Sequence, residues 1–211
     1  AVLSPTASDV SALVEPQQCF FAFAKNATSP TEIEPSHLTY KLQLSDTSIT
    51  VYCPNTALYS QLGNSAGRLV IPTGAETHEA PDSDLHLTLM HHPPSWLVPD
   101  QYKSVRSKLR ERTDLILTGH EHDGAITQGV ELEIAGEFIH FEGLALQGDS
   151  ANDSGFYLTV IDINKRTFAA QRFKWANDRY DPGQKNPARQ FVCGRQRTRN
   201  YSLTPRHQTE L

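Results

Sequence analysis

The chain has little sulfur: three cysteines, Cys19, Cys53 and Cys193, and one methionine in 211 residues. The cysteines are odd in number, widely spaced and without a Cys-x-x-Cys pair, which argues against a disulfide framework and a zinc ribbon and fits reduced thiols in a cytoplasm. No apolar run approaches the length of a membrane span, and no basic stretch leading into an apolar one opens the chain, so neither a spanning helix nor a signal peptide is expected. A large excess of one charge is also lacking. The 19 Lys and Arg against 24 Asp and Glu leave a net charge of -5, which argues against wholesale coating of nucleic acid. The chain begins at Ala1 and its sole methionine, Met90, sits inside a strand-like run, so a larger polypeptide or a removed leader is expected.

What is present is an ordinary globular composition, 38% hydrophobic, enough for one sizeable core. Pro16 and the phenylalanine-rich Gln17–Lys25 predict a helix. Leu38–Leu44 alternates, Ser45–Ser48 supplies a turn, and Ile49–Cys53 resumes, which predicts a hairpin. A loop over 71–84 precedes a strand, Leu85–Met90. A helix from Pro99 to Thr113, with Tyr102, Val105 and Leu109 on one face, leads into a second strand at Leu115–Thr118. Further strands are expected at Glu131–Ile134, Glu137–Phe141, Gly155–Ile163 and Thr167–Trp175, read as an antiparallel meander in a second sheet. After Ala176, Pro, Gly, Asn, Gln and Arg dominate, with Arg189, Arg195, Arg197, Arg199 and Arg206 making the segment basic. Residues 1–176 are therefore expected to form the folded part, and 177–211 a basic linker or tail toward another domain.

Two strand ends carry histidine. Leu85–Met90 stops at His91-His92-Pro93-Pro94, where proline cannot continue the ladder. Leu115–Thr118 stops at Gly119-His120-Glu121-His122. A strand, a crossover helix and a parallel strand bring both ends to one edge of the sheet, where α/β folds collect their ligands. Imidazoles gathered there suit Zn, Mn, Fe or Ni. His37, His78, His86, His140 and His207 are read as surface or structural, and Trp96 as a core anchor.

In order and context, His91-His92-Pro93 and Gly119-His120-Glu121-His122 resemble the last two signature blocks of the calcineurin-like metallophosphoesterases. Pro54-Asn55-Thr56-Ala57 is similar to a loop that follows that family's third block. The resemblance covers roughly residues 17–175. It implies an α/β protein forming half of an α/β/β/α two-sheet sandwich, a mixed sheet plus an antiparallel meander. It also implies two divalent metal ions, with His91 and His120 on one and His122 on the other, His91 being preferred over His92 because the family's ligand precedes x-Pro. The family's first three blocks, Asp-x-His, Gly-Asp-x-x-Asp and Gly-Asn-His-Asp/Glu, are absent. Asp84-Leu85-His86, Gly148-Asp149 and Gly63-Asn64 do not replace them in position or context. The bridging aspartate and the acid that protonates the leaving group are thus expected in a missing N-terminal half.

The implied function is a share in a binuclear phosphoesterase that hydrolyses phosphomonoesters or phosphodiesters, nucleotides and nucleic acids included, by a metal-activated hydroxide. The expected partners are the missing half and a phosphoester substrate; no membrane partner is expected. The chain alone is expected to be nearly inactive. The alternatives are a degenerate domain of the same type used as a protein-binding scaffold, and an unrelated binding module with fortuitous histidines. A metallo-β-lactamase reading fails on spacing: that family needs His-x-His-x-Asp-His, whereas Asp123 directly follows His122 and Gly124 follows it.

Overall fold

The computed structural model describes residues 7–61, 63, 65–72, 83–122, 124–131, 136–146, 154–185 and 189–190. Two helices open the described chain, α1 (Ala7–Val14) and α2 (Gln18–Ala27), joined by a 3-10 turn containing Pro16. Three antiparallel strands follow: β1 (Glu32–Glu34), β2 (His37–Leu44) and β3 (Thr47–Pro54). β4 (Leu85–Met90), helix α3 (Pro99–Arg112) and β5 (Leu115–Thr118) come next, then β6 (Ala125–Glu131) and β7 (Gly136–Glu142). β8 (Gly155–Asp162), β9 (Thr167–Ala176), β10 (Arg179–Lys185) and β11 (Arg189–Gln190) complete the described elements.

The architecture is α/β with two sheets. The first has seven strands in the order β1-β2-β3-β4-β5-β7-β6, with β3, β4, β5 and β7 parallel and the outer strands antiparallel. The second has four strands, in which β8, β10 and β11 all pair antiparallel with β9. Because side chains alternate along a strand, each face of the first sheet buries its own set. One face presents Leu85, Leu115, Ile139 and Phe141 to Phe168 and Ala170 of β9, forming the sandwich core. The opposite face presents Met90 and Ile116 to Val105 and Leu109 of α3, joined by Leu69, Ile71 and Leu97.

Helix α3 starts as its sequence predicts: Pro99 occupies the first turn, where no backbone donor is needed, and Asp100 there and Arg110 and Arg112 at the end complement the helix dipole. Several polar groups beneath it are paired. Thr88 Oγ1 lies 2.7 Å from Thr113 Oγ1, and buried Asp114 accepts the His86 N–H at 2.8 Å.

Two readings of the sequence change. β6 and β7, read as the start of the meander, belong to the first sheet: β7 pairs parallel with β5, and β6 returns antiparallel on its far side. Residues 132–134 of the expected 131–134 strand lie outside the described residues. Arg179–Lys185 and Arg189–Gln190, which composition assigns to the tail, pair with β9 instead. Aromatic contacts explain the first pairing, since Tyr180 packs on Trp175 and on Phe156, each at 5.0 Å between ring centroids. Beyond Gln190 the tail lies outside the described residues. No described helix is long and apolar enough to cross a membrane.

Candidate metal centre

β4 and β5 run in register with Met90 opposite Thr118, so the segments that leave them, His91-His92 and Gly119-His120, emerge side by side. The Gly119 N–H donates to the carbonyls of Met90 at 3.2 Å and His91 at 3.0 Å, which ties the two exits together. Glycine eases this approach: a Cβ there would stand 3.2 Å from His91 Nδ1, so the ring would have to give by a few tenths of an ångström. His120 then takes a left-handed backbone, φ +69. For a residue with a Cβ that conformation costs on the order of 1–3 kcal/mol and persists where the surroundings over-determine it.

The result is a tight group of imidazoles. His91 Nε2 lies 3.1 Å from His120 Nδ1, with ring centroids 5.0 Å apart and planes at 88°. His92 adds a third ring, 4.7 Å from His91 and 4.6 Å from His120. One nitrogen from each of the three lies within 4.8 Å of the others. A tetrahedral zinc with Zn–N near 2.05 Å needs nitrogens about 3.3 Å apart; the His91–His120 pair is near that spacing, and the looser His92 completes a group that could hold one cation.

The electrostatics point the same way. Burial first, then the neighbouring His91 and His120, push His92 down to about 4. Partial desolvation, then His120, lowers His91. Both rings are thus held toward the neutral form, which is the form that ligates metal. The buried His92 is also oriented. Its Nδ1 lies 3.0 Å from Thr56 Oγ1, and its backbone N–H donates to the same oxygen at 3.3 Å, leaving Nε2 as the free ring nitrogen. Trp96 closes another side, edge-on to His120 at 4.1 Å, while its Nε1 donates to Glu121 Oε1 at 2.6 Å. Trp96 also packs on the α3-side core, so the anchor role holds and a wall of the centre is added to it. Burial, then Glu121, raises the Glu142 carboxyl. Among the described residues no carboxylate joins the three-imidazole group.

An apolar cleft of about 370 Å³ opens beside His91 and Gly119, between Phe20 and Phe21 of α2 and Leu38, Cys53 and Leu89 of the sheet. Its polar groups are engaged: the Asn55 amide donates to Gln17 Oε1 and the Pro35 carbonyl, and His37 Nδ1 is paired with Ser36 Oγ. Burial pushes the Cys53 thiol up to about 11, which makes it a poor nucleophile.

Of the three expected ligands, His91 and His120 are brought together. His122 lies exposed two residues farther on and is not in the compact group, whereas His92 is. His37, His86 and His140 have structural partners in Ser36 Oγ, the Arg112 carbonyl and Thr118 Oγ1. His78 and His207 lie outside the described residues. The sequence reading set His92 aside in favour of His91 and gave Thr56 no role of its own. The signal for His92 was the doubled histidine itself, and the signal for Thr56 was the Asn55-Thr56-Ala57 loop.

No family model matches this chain. No curated protein matches it either. Among solved structures, a hypothetical protein from Thermus thermophilus aligns with TM-score 0.40 and 11% identity, over 80% of this chain and 71% of that chain.

Proposed function

We propose that this chain supplies the histidine-bearing part of a metal-dependent phosphoesterase centre of the calcineurin-like type, acting on phosphomonoesters or phosphodiesters, nucleic acids included. The observation that carries the reading is the convergence of His91, His92 and His120 at the ends of two adjacent parallel strands, with one nitrogen of each within 4.8 Å of the others. In this reading the three hold one ion, and His122, exposed on the same loop, is left for a second. Divalent metal there, Zn, Mn, Fe or Ni, would supply Lewis acidity toward a phosphoryl oxygen and acidify water. The chain's own residues do the positioning. Thr56 orients the His92 ring, the left-handed backbone turns His120 toward His91, and Trp96 shields the outer side of His120. The bridging carboxylate and the leaving-group acid come from residues outside these 211, and the three widely spaced cysteines suit a cytoplasmic setting. The lack of a carboxylate in the group favours, as a second reading, a degenerate domain that serves as a protein scaffold.

Titration of the metal-stripped chain with Zn or Co by calorimetry separates the two. Binding with Kd on the order of 10⁻⁶ M or weaker, lost in His91→Ala and in His120→Ala, is expected from three imidazoles without a carboxylate. Turnover of bis-p-nitrophenyl phosphate by the chain alone should stay near background. Absence of metal binding would leave only the scaffold, and robust turnover would refute the need for an outside carboxylate.

A further inference from the structure

The roof that β9 lays over the first sheet stops short of the strand ends that carry histidine. Along β4, Leu85 is 2% exposed beneath β9, whereas Leu89 is 51% exposed. Leu89 belongs to a short apolar floor. Leu38 pairs with Cys53, and Cys53 follows the Tyr52–Thr88 pair, so Leu38, Cys53 and Leu89 lie level on three neighbouring strands and on one face. Phe20 and Phe21 of α2 face that floor across the cleft of about 370 Å³, their rings edge to face at 5.6 Å. Phe20 is itself 54% exposed, so both walls leave apolar surface open. Among the described residues no Asp, Glu, Lys or Arg lines the cleft, and its amide is engaged: Asn55 donates to Gln17 Oε1 and the Pro35 carbonyl and accepts the Ala57 N–H. One end differs in kind. His91 lines it, two residues and about 7 Å beyond Leu89, and its Nε2 is the atom that lies 3.1 Å from His120 Nδ1.

We propose that this cleft binds an uncharged aromatic ring system of one or two rings, and that it seats the aryl part of the phosphoester whose phosphate meets the histidine group. Size sets the upper limit. An apolar cavity of about 150 Å³ holds one benzene, so about 370 Å³ has room for two fused rings but not for a peptide or an oligonucleotide. The edge-to-face Phe20–Phe21 pair favours an aromatic guest over an alkyl chain, because a third ring adds quadrupole contacts of the same kind. A nucleobase fits less well, since its hydrogen-bonding edge would lie against apolar side chains and an amide already engaged, and would go unpaired. An aryl ester carries its phosphorus one oxygen away from the ring, so a ring above Leu89 and Cys53 leaves the phosphate at the His91 end. The ring site rests on the cleft alone; its part in choosing aryl phosphoesters rests on the phosphoesterase reading.

The test titrates the 211-residue chain with 1-naphthol in EDTA by ligand-observed NMR, which reads the ring site without metal or phosphate. Binding with Kd on the order of 10⁻⁴ M is expected. Ala57→Phe, which puts a ring into the cleft from an exposed position, should abolish it, and Phe20→Ala should weaken it about two- to tenfold. Phe23→Ala, 64% exposed on the same helix and outside the cleft lining, is the control and should change nothing. Both cleft variants alter exposed side chains, and circular dichroism checks that each is folded. No binding up to about 10⁻³ M would overturn the proposal, as would binding that neither cleft variant alters. Equal affinity for 1-octanol would also overturn it, by marking a site indifferent to aromatic rings. The part played toward phosphoesters is read with 1-naphthyl phosphate. With Zn present its affinity should exceed that of 1-naphthol at least about tenfold, and the excess should vanish in EDTA and in His120→Ala. Zn binding without that excess would overturn the substrate role while the metal reading stands. Absence of Zn binding would instead defeat the phosphoesterase reading and leave a ring site measured without metal.

Discussion

Thr56→Val tests whether His92 is held as a ligand or merely buried as a ring. Thr56 is 2% exposed, and its hydroxyl accepts the His92 N–H at 3.3 Å and sits 3.0 Å from Nδ1. When Nε2 faces a metal, Nδ1 carries the proton and donates to Thr56, so one oxygen sets both the loop and the tautomer. Valine keeps the shape and removes the oxygen. A buried N–H left without its acceptor costs about 1–3 kcal/mol, and the length of the 3.3 Å bond places the loss near the lower end, about 1–2 kcal/mol. For a chain of this size that is a fall in Tm of about 2–8 °C. Loss of such an outer hydrogen bond weakens metal binding about 10–100-fold, or about 1.4–2.7 kcal/mol. Thr56→Ser keeps the hydroxyl and removes one methyl, so it should retain metal affinity while losing about 1 kcal/mol of stability. The assay is calorimetric Zn titration of wild type and both variants, with Tm from circular dichroism. Wild-type affinity in Thr56→Val would show that His92 is no ligand. Equal loss of affinity in both variants would show that packing, not the hydroxyl, positions the ring.

Two further outcomes concern the frame around the centre. His140, paired with Thr118 Oγ1, is pushed down to about 4 by burial and then by Arg110. Its folded value lies below the unfolded value near 6.5, so the unfolded chain takes up the proton first; stability is full above about pH 6.5 and falls, by up to about 3 kcal/mol, as pH drops toward 4. Urea unfolding of His140→Gln should be less steep in pH across that window, and an unchanged slope would assign the acid sensitivity elsewhere. Gly155→Ala would place a Cβ 2.7 Å from the Phe173 carbonyl oxygen and 3.1 Å from Leu144 Cδ1. Backbone cannot yield cheaply, so a loss of about 1–3 kcal/mol in urea unfolding is expected, and a loss under about 0.5 kcal/mol would mean that β8 shifts freely against β9.

The β4-α3-β5 unit was legible because each of its signals is local. Apolar runs stop at His91 and Gly119, Pro99 and Asp100 open a helix, and Val105 and Leu109 repeat at helical spacing. The assignment of β6 and β7 was not legible, since alternation identifies a strand and its two faces but not the sheet that accepts it. That choice is made by pairing of Leu115 with Ile139 and of Leu117 with Phe141, contacts between segments more than twenty residues apart. β10 was hidden for a different reason. Its Arg, Asp, Pro and Gly content reads as loop, and only Tyr180, through Trp175 and Phe156, shows why it lies on β9. His92 was set aside on spacing within a motif, yet the strand ends there, and once the chain turns at Pro93 two successive side chains no longer need to point to opposite faces.

The position of the centre follows from the same burial gradient. β4 is the strand on which the roof ends: Leu85 at its start is 2% exposed, whereas Leu89, two residues before His91, is 51% exposed. The imidazoles therefore sit at the rim of the core, beside an exposed leucine. Neutral rings can ligate a dication but cannot offset its charge, and a double charge at the edge of an apolar face is expensive unless anions lie close. Glu121 is held by Trp96, burial and then Glu121 raise the Glu142 carboxyl, and among the described residues neither carboxylate joins the three rings.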